Sequence, residues 1–170
     1  MPQAVKTLAS GYSNTVVGIL VMIPYLAGVP AMIFVSGSSD RTLERRYHAA
    51  IPLLVGGIAL ASLGGARSSL ISIILWSFAV MGVLSYGAPF WSIPSKFLTG
   101  FSAASGIALI NSVGNLGGFV GPSVIGTVAD GPTGIYRGLA LGGVSLILSA
   151  TLILLLPKKH IAGPRAMDAR

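Results

Sequence analysis

Long apolar runs separated by short charged segments set the pattern along this chain. Charged residues divide it into five uncharged stretches, 13–39, 49–66, 68–95, 97–129 and 138–157. A helix that crosses a bilayer needs roughly 20 mostly apolar residues to cover about 30 Å of hydrocarbon, and each stretch meets or approaches that length. The fourth is too long for one span at about 1.5 Å per residue and too short for two with a turn. It is therefore read as one helix flanked by loop. The predicted spans are 14–36, 49–65, 70–95, 100–124 and 138–157. The second is short, rich in Gly and Ala, and interrupted by Pro52. It is retained because a four-span chain would strand charge on the wrong side. The fold class is all-α integral membrane, with about five transmembrane helices.

Composition agrees with this pattern. Of the 170 residues, 53% are hydrophobic and only 9% charged, against about a quarter charged in a soluble domain. A soluble enzyme, a disordered tail and a nucleic-acid binder are all poor fits, despite the net charge of +7. Cysteine is absent, which removes disulfides, thiolate nucleophiles and cysteine metal sites. Residues 1–10 lack the apolar core of a signal peptide.

The basic residues orient the spans. Arg41, Arg45, Arg46, Lys96, Lys158, Lys159, Arg165 and Arg170 fall on one side, against Lys6, Arg67 and Arg137 on the other. The positive-inside rule then puts the C-terminus in the cytoplasm and the N-terminus outside. An odd number of spans with an outside N-terminus and no signal implies that something upstream is missing.

No Asp, Glu, Lys, Arg or His lies deep in any stretch. Such groups are the usual carriers of proton relays and ion sites, so a coupling carboxylate would have to lie elsewhere. Uncharged polar groups concentrate instead in the fourth span. Asn111 and Asn115 are spaced i, i+4 and share a helix face. Gly114 with Gly118, and Gly117 with Gly121, form small-xxx-small pairs that permit close helix approach. Asn111 falls near the bilayer midplane, where transporters bind substrate. Interhelical glue and ligand contact are both open readings for Asn111, whereas packing or gating suits Asn115 better.

The third span ends in Tyr86-Gly-Ala-Pro89-Phe90-Trp91-Ser-Ile-Pro94. Two prolines open the hydrogen-bond ladder, which a membrane tolerates only against protein or a water-filled cavity. Trp91 is either an interfacial belt residue or a ligand-stacking one. Tyr25, just after Pro24, is either structural or a hydroxyl donor to the same cavity. The segment 37–48 carries Asp40, Arg41, Glu44, Arg45 and Arg46. It reads as a solvated turn, or as a charge cluster that latches helix bundles together, with Asp40 near a helix N-terminus or paired to Arg45 or Arg46. Metal-ligand spacing, a phosphate-binding loop and a serine-nucleophile motif are all missing, so neither an enzyme nor a cofactor is expected. A self-associating membrane protein or channel is the alternative to a transporter.

The run Asp40-Arg41-Thr-Leu-Glu-Arg45-Arg46 resembles the D-R-x-G-x-R-R signature of the major facilitator superfamily. Phe90-Trp91-Ser-Ile-Pro94 and the run from Gly106 through Asn111-Ser112, Asn115 and Gly121 to Pro122 resemble its anion:cation symporter family, which includes tartrate, phthalate and hexonate permeases. That resemblance implies helices 8 to 12 of a twelve-helix transporter, without helix 7 and the N-terminal domain. It also implies proton- or sodium-coupled symport of a small organic anion across a bacterial inner membrane by alternating access. Trp91 and Asn111 would line the cavity, and Asp40, Arg41, Arg45 and Arg46 would form the inner latch. Two glycines of the signature are replaced, by Leu43 and by Ser36 with Gly37 displaced by one.

Overall fold

The computed structural model describes residues 13–66, 68–128 and 134–157. It is helical throughout, with no strand among the described residues. Helix α1 (Asn14–Thr42) starts at Ser13, whose side chain accepts a hydrogen bond from the Val16 N–H. Helix α2 (Arg46–Ser62) continues into a 3-10 turn, Leu63–Gly65. Helix α3 (Ser69–Ser85) starts where Ser68 accepts from the Ile71 N–H. Two short helices follow, α4 (Gly87–Trp91) and α5 (Pro94–Phe97). Helices α6 (Gly100–Val128) and α7 (Gly134–Leu155) complete the chain. Serine caps supply acceptors to N–H groups that a helix start leaves unpaired.

Among the described residues, five segments are long and apolar enough to cross a membrane: Thr15–Thr42, Arg46–Gly65, Ser69–Lys96, Gly100–Val128 and Gly134–Leu155. Proline inside α1, α2 and α6 does not end those helices, as expected where neighbouring groups re-satisfy the freed carbonyls. The third segment behaves differently, because Pro89 and Pro94 lie close together. Neither offers an N–H, and the ladder tightens locally: Ile93 N–H donates to the Phe90 carbonyl at 3.0 Å and Lys96 N–H to that of Ile93 at 3.1 Å.

Packing is tightest where glycine replaces a side chain. A Cβ on Gly56 would lie 3.2 Å from the Gly82 Cα, so α2 and α3 meet backbone to backbone. A Cβ on Gly57 would lie 2.8 Å from the Gly143 carbonyl oxygen, which brings α2 equally close to α7. Next to that crossing, Ala49, Ala50 and Leu53 of α2 bury against Ala150 and Ile153 of α7, with Tyr86 and Phe90 at the edge. Without a hydrophobic drive between helices in lipid, such close approach supplies the van der Waals contact that holds a bundle.

These contacts also fix direction. The α2 N-terminal end meets the α7 C-terminal end, and Gly64 past the end of α2 meets Tyr136 near the start of α7. Lys96 lies in the electrostatic field of Arg45 and Glu44. The α1–α2 turn, the end of α5 and the end of α7 therefore share one end of the bundle, while Arg137 stands at the other. Lys6, Arg67, Lys158, Lys159, Arg165 and Arg170, which also entered the orientation argument, lie outside the described residues.

Candidate functional site

Helix α6 differs from every other span. None of its 29 residues is buried, although it is apolar and roughly 43 Å long at 1.5 Å per residue. Among the described residues its close contacts include Leu98 against Gly106 and Ile125 against Gly138. Asn111 and Asn115 lie between these contacts, exposed on one face. Neither amide has a hydrogen-bond partner among the described residues. A Cβ added to Gly114, Gly117, Gly118 or Gly121 would meet nothing within 4 Å. The small-residue surface of α6 is thus available for packing and unused by the described residues. Close approach inside the bundle comes from Gly56, Gly57, Gly82 and Gly143, which the sequence reading passed over. The adjacent Gly56-Gly57 and Gly142-Gly143 pairs were the signal, but two glycines side by side do not say which helix they face.

Trp91 closes α4, which packs on α1, α2 and α3. Its ring meets Phe90 edge-on with centroids 5.4 Å apart, and Phe90 meets Tyr86 at 5.9 Å. Trp91 itself is half-buried. Tyr25 belongs to a different level. It lines a cavity of about 200 Å³ with Leu60, Trp76, Ala79, Val80, Val83 and Leu84. Helices α1 and α3 run in the same direction, so Tyr25 stands beside Ala79, roughly three turns from Trp91. The structure therefore puts Asn111 and Asn115 on one surface, and places Tyr25 and Trp91 at separate heights of the bundle.

The charged segment is more helical than a loop. Helix α1 runs through Asp40 and Arg41 to Thr42, which leaves only Leu43, Glu44 and Arg45 to make the turn. The 37–48 loop expected from the charge pattern is corrected accordingly: a helix end near the membrane surface accommodates charge as well as a loop does. Leu43 closes α1 in the left-handed region with φ 55°. This is where the facilitator signature carries glycine, the residue that enters that region without steric cost.

Asp40 pairs with Arg45 across the turn. Arg45 Nη1 also donates to the Ser39 hydroxyl at 3.1 Å, and fully buried Ser39 donates to the Glu44 carbonyl at 2.9 Å. Glu44, rather than Asp40, caps the next helix. Its carboxylate accepts from the Tyr47 N–H at 2.8 Å and lies 3.2 Å from His48 Nδ1. A carboxylate on those free N–H groups is favoured by hydrogen bonding and by the helix dipole. Arg41 is exposed at the end of α1, and the Arg46 guanidinium lies 5.7 Å from the Tyr47 ring centroid.

Known proteins resemble this chain along almost all of its length. It is 38% identical over 169 residues to a protein of Agrobacterium vitis named as a tartrate transporter, covering 99% of this chain and 36% of the relative. It is 37% identical over 154 residues to the metabolite transport protein NicT of Pseudomonas putida, covering 89% and 35%. The inner membrane transport protein RhmT of Escherichia coli is 31% identical over 122 residues, covering 72% and 28%. The chain belongs to the major facilitator transporters. This facilitator chain spans about 36% of the length of the first of these relatives, in keeping with a C-terminal portion. No protein-family model and no solved structure matches it.

Proposed function

We propose that this chain forms part of a secondary transporter for a small organic anion, and that α6 lines its central cavity. The observation that carries the reading is the exposure of α6 in a chain whose relatives are longer and are named transporters. A helix bearing two unpartnered amides at mid-depth gains little from lipid, which offers no hydrogen bond. It suits a surface completed by further helices, with Asn111 offering an amide to an anionic, hydroxylated substrate such as a sugar acid or dicarboxylate. The tartrate named for one relative belongs to that class.

In this reading the missing partner is the N-terminal half of the transporter, which supplies the rest of the cavity and the coupling carboxylate. Symport with a proton (or sodium) proceeds by rocking of the two halves. The Asp40–Arg45 turn latches them on the cytoplasmic face of the inner membrane. Trp91, next to the proline-broken segment, lines the inner part of the cavity, and Tyr25 contributes from the outer half. Gly114, Gly117, Gly118 and Gly121 receive a helix from outside this chain.

The test is uptake of a labelled hydroxydicarboxylate by the full transporter carrying Asn111→Ala or Trp91→Ala. Uptake should fall at least tenfold at unchanged expression, the loss of about 1.4 kcal/mol of binding. Wild-type uptake in both variants removes the site. A self-associating membrane protein is the second reading, favoured by the open glycine face of α6. Cross-linking of α6 to its own copy, with no additional transporter segment bound, would decide for it.

A further inference from the structure

Serines in the spans of this chain mostly bond to their own helix. Ser62, Ser77, Ser92, Ser95, Ser145 and Ser149 each donate to the carbonyl four residues back. Ser38, near the end of α1, departs from that habit. Its hydroxyl lies 2.9 Å from Nε2 of His48, in the first turn of α2.

The other ring nitrogen fixes the direction of this bond. His48 Nδ1 stands 3.2 Å from Glu44 Oε2, and an ionised carboxylate only accepts. Nδ1 therefore carries the proton, Nε2 presents its lone pair, and the Ser38 hydroxyl donates to it. Glu44 is held in place in turn by the Tyr47 N–H at 2.8 Å. A hydroxyl bonded to an imidazole whose far nitrogen is set by a carboxylate is the arrangement that activates a serine. No serine-nucleophile motif marks it in the sequence, because positions 38, 44 and 48 meet only across the α1–α2 turn. Solvent reaches the cluster, with the His48 side chain 22% and that of Glu44 34% exposed.

We propose that Ser38 is an activated nucleophile that takes an acyl group from a small activated ester, with His48 as its general base and Glu44 positioning the ring. Ser38 Oγ attacks the ester carbonyl carbon, and its proton passes to His48 Nε2. The bond from that carbon to the leaving oxygen breaks, and His48 returns the proton to the departing alcohol. The acyl group remains on Ser38. Rapid hydrolysis would need preorganised donors for the oxyanion, whereas the backbone N–H groups around Ser38 are used within α1. The site is therefore suited to one acylation rather than to turnover. An acylated oxygen has no proton to give His48, so the modification removes one link across the α1–α2 turn. The inference does not depend on the transport reading.

The test is acetylation of the 170-residue chain by p-nitrophenyl acetate, with the modified serines located by peptide mass spectrometry. No cysteine competes for the reagent. Ser38 should be acetylated at least about a hundredfold faster than Ser92 or Ser95, the lower end of what a positioned base supplies. His48→Gln should slow Ser38 to the rate of those two serines. Glu44→Gln, which keeps an acceptor for the Tyr47 N–H, should slow Ser38 less and remove the downfield ring N–H proton signal of His48. Acetylation of Ser38 no faster than that of Ser92 in the unmodified chain overturns the proposal. So does a Ser38 rate that His48→Gln leaves unchanged.

Discussion

Gly143 presses its backbone against Gly57 so closely that neither position has room for a methyl group: a Cβ on Gly143 would lie 2.6 Å from the Gly57 carbonyl oxygen and 2.6 Å from the Ala61 nitrogen. The obstacles are backbone atoms, which cannot rotate aside. Gly143→Ala should therefore destabilise the bundle by about 1–3 kcal/mol, the usual range for overpacking, read as a lower thermal midpoint in detergent. Gly118→Ala, which meets open space, should leave that midpoint unchanged or slightly raised, because Ala is the better helix former. In the assembled transporter the order should reverse for uptake, with Gly118→Ala the more damaging. The reversal separates glycines that pack within this chain from glycines that await a partner.

Leu43 holds a left-handed conformation that costs a side-chain-bearing residue roughly 1–2 kcal/mol. Leu43→Gly should therefore stabilise the folded chain by up to about 1 kcal/mol, after the extra entropy glycine loses on folding. A fall in the unfolding midpoint would show that the Leu43 side chain contributes more by packing than its backbone loses by strain.

Glu44 and Asp40 hold different things, and their variants should differ in kind. Glu44→Ala removes the acceptor at the start of α2 and should cost about 1 kcal/mol, as other cap losses do. Asp40 is 69% exposed and Arg45 only 13% exposed at their side chains. The pair itself should contribute less than about 1 kcal/mol in a double-mutant cycle, since water and salt screen the exposed carboxylate. Arg45→Ala should cost more than Asp40→Ala, because it also removes the donor to the buried Ser39 hydroxyl. Equal costs would mean that the ion pair alone holds the turn.

The five spans were legible because lipid leaves a chain few choices. Charge is excluded from the hydrocarbon and backbone groups must pair locally, so Arg, Asp and Lys positions mark off the apolar stretches that become spans. The Pro89–Pro94 break was legible for the same reason, since two missing N–H groups close together cannot be hidden. Where α1 stops was not, because Asp40 and Arg41 look alike in a turn and in a last helical turn; φ at Leu43 settles it. Nor could Tyr25 be assigned a level, which depends on α1 and α3 running side by side. The i, i+4 face of Asn111 and Asn115 follows from helix geometry alone, and its exposure follows from what α6 lacks around it.

The measurement that tests the account most directly is the solvent access of position 111. The chain contains no cysteine, so Asn111→Cys in the full transporter gives a single thiol against a silent background within this segment. A membrane-impermeant thiol reagent should label it, and an added hydroxydicarboxylate should slow that labelling. Labelling only by a lipid-soluble reagent, with no protection by any anion, would mean that this face of α6 looks into acyl chains and lines no cavity.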